Sequence, residues 1–235
     1  MLGCDYVLGL YIVPIVQERY YERLKMNKNK EFIFRDFTDA DFDVIAAMMS
    51  KEWYGDVEEH QAYLCAASEL ALHLSNSTYL KVASVDDKIY GVCLARAAGE
   101  KGEKRWADIE EQIYRDAHEQ NLTDAIACLG IHRGEAMLEE RVGEEYGTDG
   151  VGCVELLLVS DDSKGMGVGT TMIEECLGWF KSRNLTCYRL ATDDSCGWEY
   201  YEHRGMIRRG VILVDPLPAF EWDGDYHLYV YEDEI

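Results

Sequence analysis

The stretch from Cys153 to Thr170 constrains the chain most: an apolar β-like run, a short polar loop, then glycines opening an amphipathic helix. Residues 153–159 (Cys-Val-Glu-Leu-Leu-Leu-Val) read as a strand. The loop Ser160-Asp161-Asp162-Ser163-Lys164-Gly165-Met166-Gly167 leads into a helix whose apolar positions 168, 172, 173, 176, 177 and 180 share one face. Glycines at 165, 167 and 169 leave the backbone unshielded at the helix N-terminus. There, unpaired N–H groups and the helix dipole favour an anion such as a pyrophosphate. A structural turn is the competing reading. Lys164 adds a positive charge at the rim. No G-x-x-x-x-G-K-[ST] string occurs, and the spacing is G-x-G-x-G rather than G-x-G-x-x-G, so neither a P-loop nor a dinucleotide fingerprint fits. Asp193, after the next strand, is the one feature that suits a dinucleotide site.

Around this unit the pattern alternates. Residues 31–37 read as a strand, and Thr38 reads as a helix cap with Asp41 three positions on, starting a helix to about Trp53. A second helical pattern runs from Asp56 to Asn76. Residues 79–84 and 88–97 flank Asp86-Asp87 as an antiparallel hairpin. Residues 99–150 turn helical and charged, with 14 acids against 6 bases. Trp106, Ile109 and Ile113 form one stripe there, and a second helix is expected after Gly134. This insertion reads equally as a solvated cover or as a substrate lid. Beyond the motif strand come a helix (168–183), a strand (187–192), a helix (195–204) and strands at 207–214 and 227–232. The expected fold is therefore α/β (α+β), with a mixed, mainly antiparallel sheet, a βαβ half and a helical insertion.

A chain of 235 residues, 48% of them hydrophobic, suits one elaborated domain, read here as 26–235. The first 25 residues are read as an extension. Its apolar run at 6–16 is too short to span a bilayer and lacks the flanks of a signal peptide. Either it packs as an added element or translation starts at Met26, and the second reading is preferred. The net charge of −22 opposes a nucleic-acid role and suits a cationic partner, although acidity also serves solubility alone. The eight cysteines form no C-x-x-C pair and sit mostly in apolar runs, as reduced core thiols do. The six histidines show no metal-site spacing, so no metal is expected.

Two segments in order resemble the GNAT (N-acetyltransferase) superfamily. Val159-x4-Lys164-x-x-Gly167-x-Gly169 is similar to that family's [QR]-x-x-G-x-[GA] pyrophosphate loop, with Lys in place of Gln or Arg. Tyr200-Tyr201-Glu202-His203-Arg204-Gly205-Met206 looks like its F-Y-E-K-L-G-F segment. The likeness covers roughly 31–232, outside the insertion. It implies a GNAT fold and acetyl-CoA as cosubstrate, held by Lys164, Gly165, Met166, Gly167, Val168, Gly169 and Thr170. It also implies backbone bonds from Leu158 and Val159 to the pantetheine arm and thioester. An amine acceptor then attacks the thioester directly in a ternary complex. Tyr201 aligns with the tyrosine that protonates the leaving thiolate, and Tyr200 is expected to be structural. Asp194 replaces a frequent Asn of the family. Dimers are common in that family, so a homodimer is among the assemblies it implies, in the cytoplasm and without membrane or nucleic acid.

Glu155 stands apart on the motif strand. Period two places it with Cys153, Leu157 and Val159, opposite Val154, Leu156 and Leu158. A carboxylate among apolar neighbours is costly to bury alone, so Glu155 is expected either to face the cleft as general base or to bind a nearby cation. The rival from another class is a non-catalytic acyl-CoA-binding module, kept open by Lys164 and Asp194. From Lys164 to Gly210 there are seven bases and six acids, against seven acids and no Lys or Arg from Asp215 onward. That asymmetry suits an anionic donor and a cationic acceptor.

Overall fold

The computed structural model describes residues 31–196, 198–216, 218–219 and 222–235. The apolar run at 6–16, Cys4 and the Met26 start lie outside them. The chain enters at β1 (Ile33–Asp36). Thr38 then opens the expected capping box, donating to the Asp41 carboxylate from its N–H at 2.7 Å and its hydroxyl at 2.9 Å. Arg35 clamps the same carboxylate with two bonds of 2.8 Å, which ties strand to helix. A 3-10 turn leads into α1 (Phe42–Trp53), followed by α2 (Glu59–Asn76). Asp86 and Asp87 adopt left-handed φ of 47° and 64°, as a two-residue hairpin turn needs, and close β2 (Tyr79–Val85) on β3 (Lys88–Ala97).

The insertion folds as α3 (Lys104–Gln120) and α4 (Thr123–Tyr146). The second helix was expected after Gly134 but begins eleven residues earlier and runs through Gly130 and Gly134. Gly134 does not break the helix, and a Cβ there would make an ordinary 3.4 Å contact with Leu228 Cδ1. Then come β4 (Val151–Val159), α5 (Val168–Ser182), β5 (Cys187–Asp193), α6 (Glu199–His203), β6 (Ile207–Val214) and β7 (Tyr226–Glu234). The expected helix at 195–204 shortens because the Asp193 carboxylate accepts from Ser195 N at 2.8 Å and Cys196 N at 3.1 Å, forming a turn first.

One sheet results, in the order β1-β2-β3-β4-β5-β7-β6. Its pairs are antiparallel except β4 with β5. The mixed sheet with a βαβ half is thus present. One face buries Leu70 and Leu74 of α2 and Leu129 and Leu138 of α4; the other buries Val168, Met172 and Phe180 of α5. Period two fails on β4. Leu94 faces Leu156, but Ala95 faces Val154, so Glu155 is the extra residue of a β-bulge. Val154 therefore joins the α5 side, while Leu156 and Leu158 join the α2 and α4 side. Glu155 points to the latter side as well, where its partners lie.

Among the described residues, no helix is long and apolar enough to cross a membrane. Close packing of α5 rests on Gly152, where a Cβ would stand 2.6 Å from the fully buried Phe180 ring. Gly152→Ala should cost about 1–3 kcal/mol in urea unfolding. Gly130→Ala, in an exposed helical position with nothing within 4 Å, should instead stabilise by about 0.5–1 kcal/mol.

Candidate active site

The loop after β4 is pinned to β3. Ser160 N donates to Tyr90 O at 2.9 Å, and the Ser163 hydroxyl donates to the same carbonyl at 3.2 Å. Gly165 and Gly167 then take φ of 79° and 81°, which only glycine adopts without strain, and turn the chain into α5. The first helical bond runs from Thr171 N to Gly167 O at 2.9 Å, so the N–H groups of Val168, Gly169 and Thr170 have no partner within the helix. A Cβ on Gly169 would stand 3.1 Å from Val159 Cγ2, so the helix end sits tightly against the end of β4. Lys164 is at the rim, exposed, with its ammonium on the Asp161 carboxylate.

The ladder between β4 and β5 runs only from Val151/Cys187 to Val154/Leu190, although both strands continue. The edge of β4 facing β5 is therefore unpaired from Glu155 on. A cavity of about 440 Å³ lies there, lined by residues 154–157 of β4 and 190–193 of β5. It reaches Gly169 and Thr170 on one side of the sheet and α2 and α4 on the other. Of the expected site residues, Tyr201, Glu155, Gly169 and Thr170 line it together. Leu158 is buried in the α2 and α4 core, and Val168 in the α5 core. Val159, Lys164, Gly165, Met166 and Gly167 do not line the cavity.

Tyr201, on α6, leans on Tyr231 with ring centroids 5.5 Å apart. Its hydroxyl has no hydrogen-bond partner among the described residues, and burial pushes its pKa up to about 12. Tyr200 is exposed and accepts from Arg204 at 3.0 Å. Asp194 is committed elsewhere: it accepts from the Tyr229 hydroxyl at 2.6 Å and from His227 N at 2.7 Å, tying the end of β5 to β7.

The far end of the cavity is a charged set of which sequence patterning singled out only Glu155. Arg96 Nε donates to Glu155 at 2.6 Å and its NH2 reaches Glu139 at 3.4 Å. His73 sits between Glu69 and Glu155 at 3.7 and 3.8 Å, in ion pairs too long for hydrogen bonds. Tyr54 donates to Glu69 at 2.7 Å and lies 3.1 Å from His132 Nε2. Burial opposes ionisation of Glu155, but His73 and Arg96 outweigh it and hold the carboxyl below its usual range. Burial likewise opposes protonation of His73, yet the two carboxylates raise it to about 10. Burial lowers His132. Burial, reinforced by the Glu155 charge, raises Glu139 to about 8. Burial raises Glu135 well above the usual carboxylate range, with Asp193 and Glu69 adding to it. The available signals were spacing ones: Glu69 and His73 at i,i+4 in an Ala/Leu-rich helix, and His132, Glu135 and Glu139 on one face of α4.

A mixed sheet opened between its two parallel strands, over a glycine-turned helix N-terminus, is the architecture of an acetyltransferase. Residues 35–206 match the Acetyltransferase (GNAT) family, and the chain belongs to that family. PH1933 from Pyrococcus horikoshii OT3 has a similar fold, at 13% identity and TM-score 0.52, with 87% of this chain and 100% of that one covered. The smu.2055 protein of Streptococcus mutans UA159 is similar at 11% identity and TM-score 0.50, over 86% and 98%. No curated protein matches the chain. Family and fold together support acetyl transfer in general.

Glu139 takes up a proton on folding between its unfolded value near 4.5 and about 8. The stability this contributes is complete below that window and is lost as pH rises through it. Glu139→Gln should flatten stability against pH there by up to about 1.4 kcal/mol per pH unit, read from urea unfolding at pH 5, 6.5 and 8.

Proposed function

We propose that the chain transfers an acetyl group from acetyl-CoA to the amine of a small or peptide acceptor, by direct attack in a ternary complex. The carrying observation is one continuous cavity from Gly169 and Thr170, past the Tyr201 hydroxyl, to titratable side chains on α2 and α4. When bound, the cosubstrate supplies an activated thioester. The free N–H groups of residues 168–170 suit its pyrophosphate, and Gly165 and Gly167 keep the backbone beside them bare. Lys164 reaches a phosphate by exchanging Asp161 for it. The unpaired edge of β4 at Leu158 and Val159 offers backbone groups to the pantetheine amides and the thioester carbonyl.

Tyr201, protonated at neutral pH, donates to the sulfur as the C–S bond breaks. The acceptor ammonium must first lose a proton. Glu155 faces the cavity, but its ion pairs with Arg96 and His73 make it a weak base, so it serves as the electrostatic anchor of the acceptor end. His132, kept neutral by burial, faces the same cavity and suits proton acceptance better. The same reading puts the protein in the cytoplasm, with a homodimer as the assembly common in the family. The non-catalytic acyl-CoA-binding module draws on two observations: Lys164 rests on Asp161, and Asp194 is spent on β7.

Tyr201→Phe should lower kcat by about 10²-fold or more in a thiol-release assay with a panel of amines. Millimolar acetyl-CoA should still raise the melting temperature of that variant as it does for wild type. Wild-type stabilisation by acetyl-CoA without thiol release from any amine would select the non-catalytic module.

A further inference from the structure

The acids at the far end of the cavity exceed the cations that face them. Arg96 and His73 are used in pairing Glu155 and Glu69. Glu139 shares Arg96 with Glu155 at the longer distance of 3.4 Å. Glu135, half-buried, lines the cavity and makes no hydrogen bond or ion pair with another described residue. Asp193, also on the wall, accepts from neutral donors: Ser195 N at 2.8 Å, the Ser195 hydroxyl at 2.6 Å and Cys196 N at 3.1 Å. A half-buried carboxylate without a partner destabilises the fold that holds it once it ionises. A positively charged ligand removes that penalty.

The rest of the lining narrows the ligand. Leu72, Ile131, Ala136 and Leu156 line the same cavity as the acids, so its wall is apolar as well as charged. Glu135 and Glu139 are one helical turn apart on α4, with side chains stacked on one face. Methylene groups suit the apolar part, and ammonium groups suit the acids. The cavity, shared with the donor arm, has room for a slim flexible chain rather than a folded segment.

We propose that the acceptor is an aliphatic diamine or polyamine, whose non-reacting ammonium is seated on Glu135 with Glu139 and Asp193 around it. This deepens the acetyl-transfer reading and rests on it for the word acceptor. The cation seat itself is a binding property that can be measured without turnover. α4, from the insertion, thereby becomes the specificity-setting wall of the site.

Calorimetry on the full chain would compare 1,4-diaminobutane and spermidine with 1-aminobutane, in the presence of CoA. The diamine should bind at least tenfold more tightly than the monoamine. Glu135→Gln should lose at least tenfold of the diamine affinity and, on the alkaline side of neutrality where the wild-type carboxyl ionises, should melt higher than wild type when no ligand is present. Stabilisation by acetyl-CoA shows that the variant is folded. Glu139→Gln gives a second, independent loss of diamine affinity; Asp193 is left intact because it holds its turn. Equal affinity for monoamine and diamine, or a diamine preference that survives both substitutions, overturns the proposal. Acetylation of amines without regard to a second charge would also overturn it while leaving acetyl transfer standing. Glu135-dependent diamine binding with no thiol release would uphold the cation seat and sink the transfer reading.

Discussion

Beyond Val154 and Leu190 the two parallel strands stop pairing, and the rest of the site follows from that parting. A closed ladder would have left no passage through the sheet and no free backbone edge on β4. The parting coincides with the bulge at Glu155, which adds a residue to β4 and bends it where it leaves β5. The bulge also swings a carboxylate onto the same side as Leu156, against α2 and α4. What holds that carboxylate is a second constraint: Arg96 from β3 and His73 from α2 both reach it. Three elements are thus joined through charge at the point where the sheet opens.

Such buried pairs are poor evidence for stability, because desolvation of each ion cancels much of the attraction. Their value lies in geometry. Arg96 can satisfy Glu155 only if β3 and β4 keep the shifted register, and His73 can sit between Glu69 and Glu155 only if α2 packs at its present depth. Breaking one partner leaves an unpaired charge in the interior, so the set resists piecemeal change. A stable frame of this kind allows the unpartnered groups beside it, the Tyr201 hydroxyl and the Glu135 carboxylate, to face the cavity without collapse of its walls.

Much of the fold was legible in the sequence because it is written in local chemistry. The capping box at Thr38 and Asp41, the Asp86-Asp87 turn and the Gly165 and Gly167 corner each rest on a few adjacent residues, and each appears where it was expected. The bulge was not legible: nothing in Cys153 to Val159 marks the extra residue, which arises from register against β3. The same holds for the charged end of the cavity. Arg96, His73 and Glu139 are far apart in sequence, and only the sheet order and the docking of α4 bring them to Glu155. Glu155 itself was readable as an anomaly, and in the structure it both lines the cavity and is paired with Arg96.

The insertion illustrates how a segment acquires function through packing. Its charge suggested a solvated cover and a substrate lid equally, and α3 largely fits the cover, with Lys104 pairing Asp108 and Arg105 pairing Glu103 in solvent. α4 does not. Leu129, Leu138 and Val142 enter the core, and one face is thereby turned inward. His132, Glu135 and Glu139 share that inward face, so the helix that completes the core also carries three titratable groups to the cavity. A face serving stability alone would be apolar at these positions. Once ionised, the acids reduce stability, and a ligand that brings positive charge to them would offset that loss.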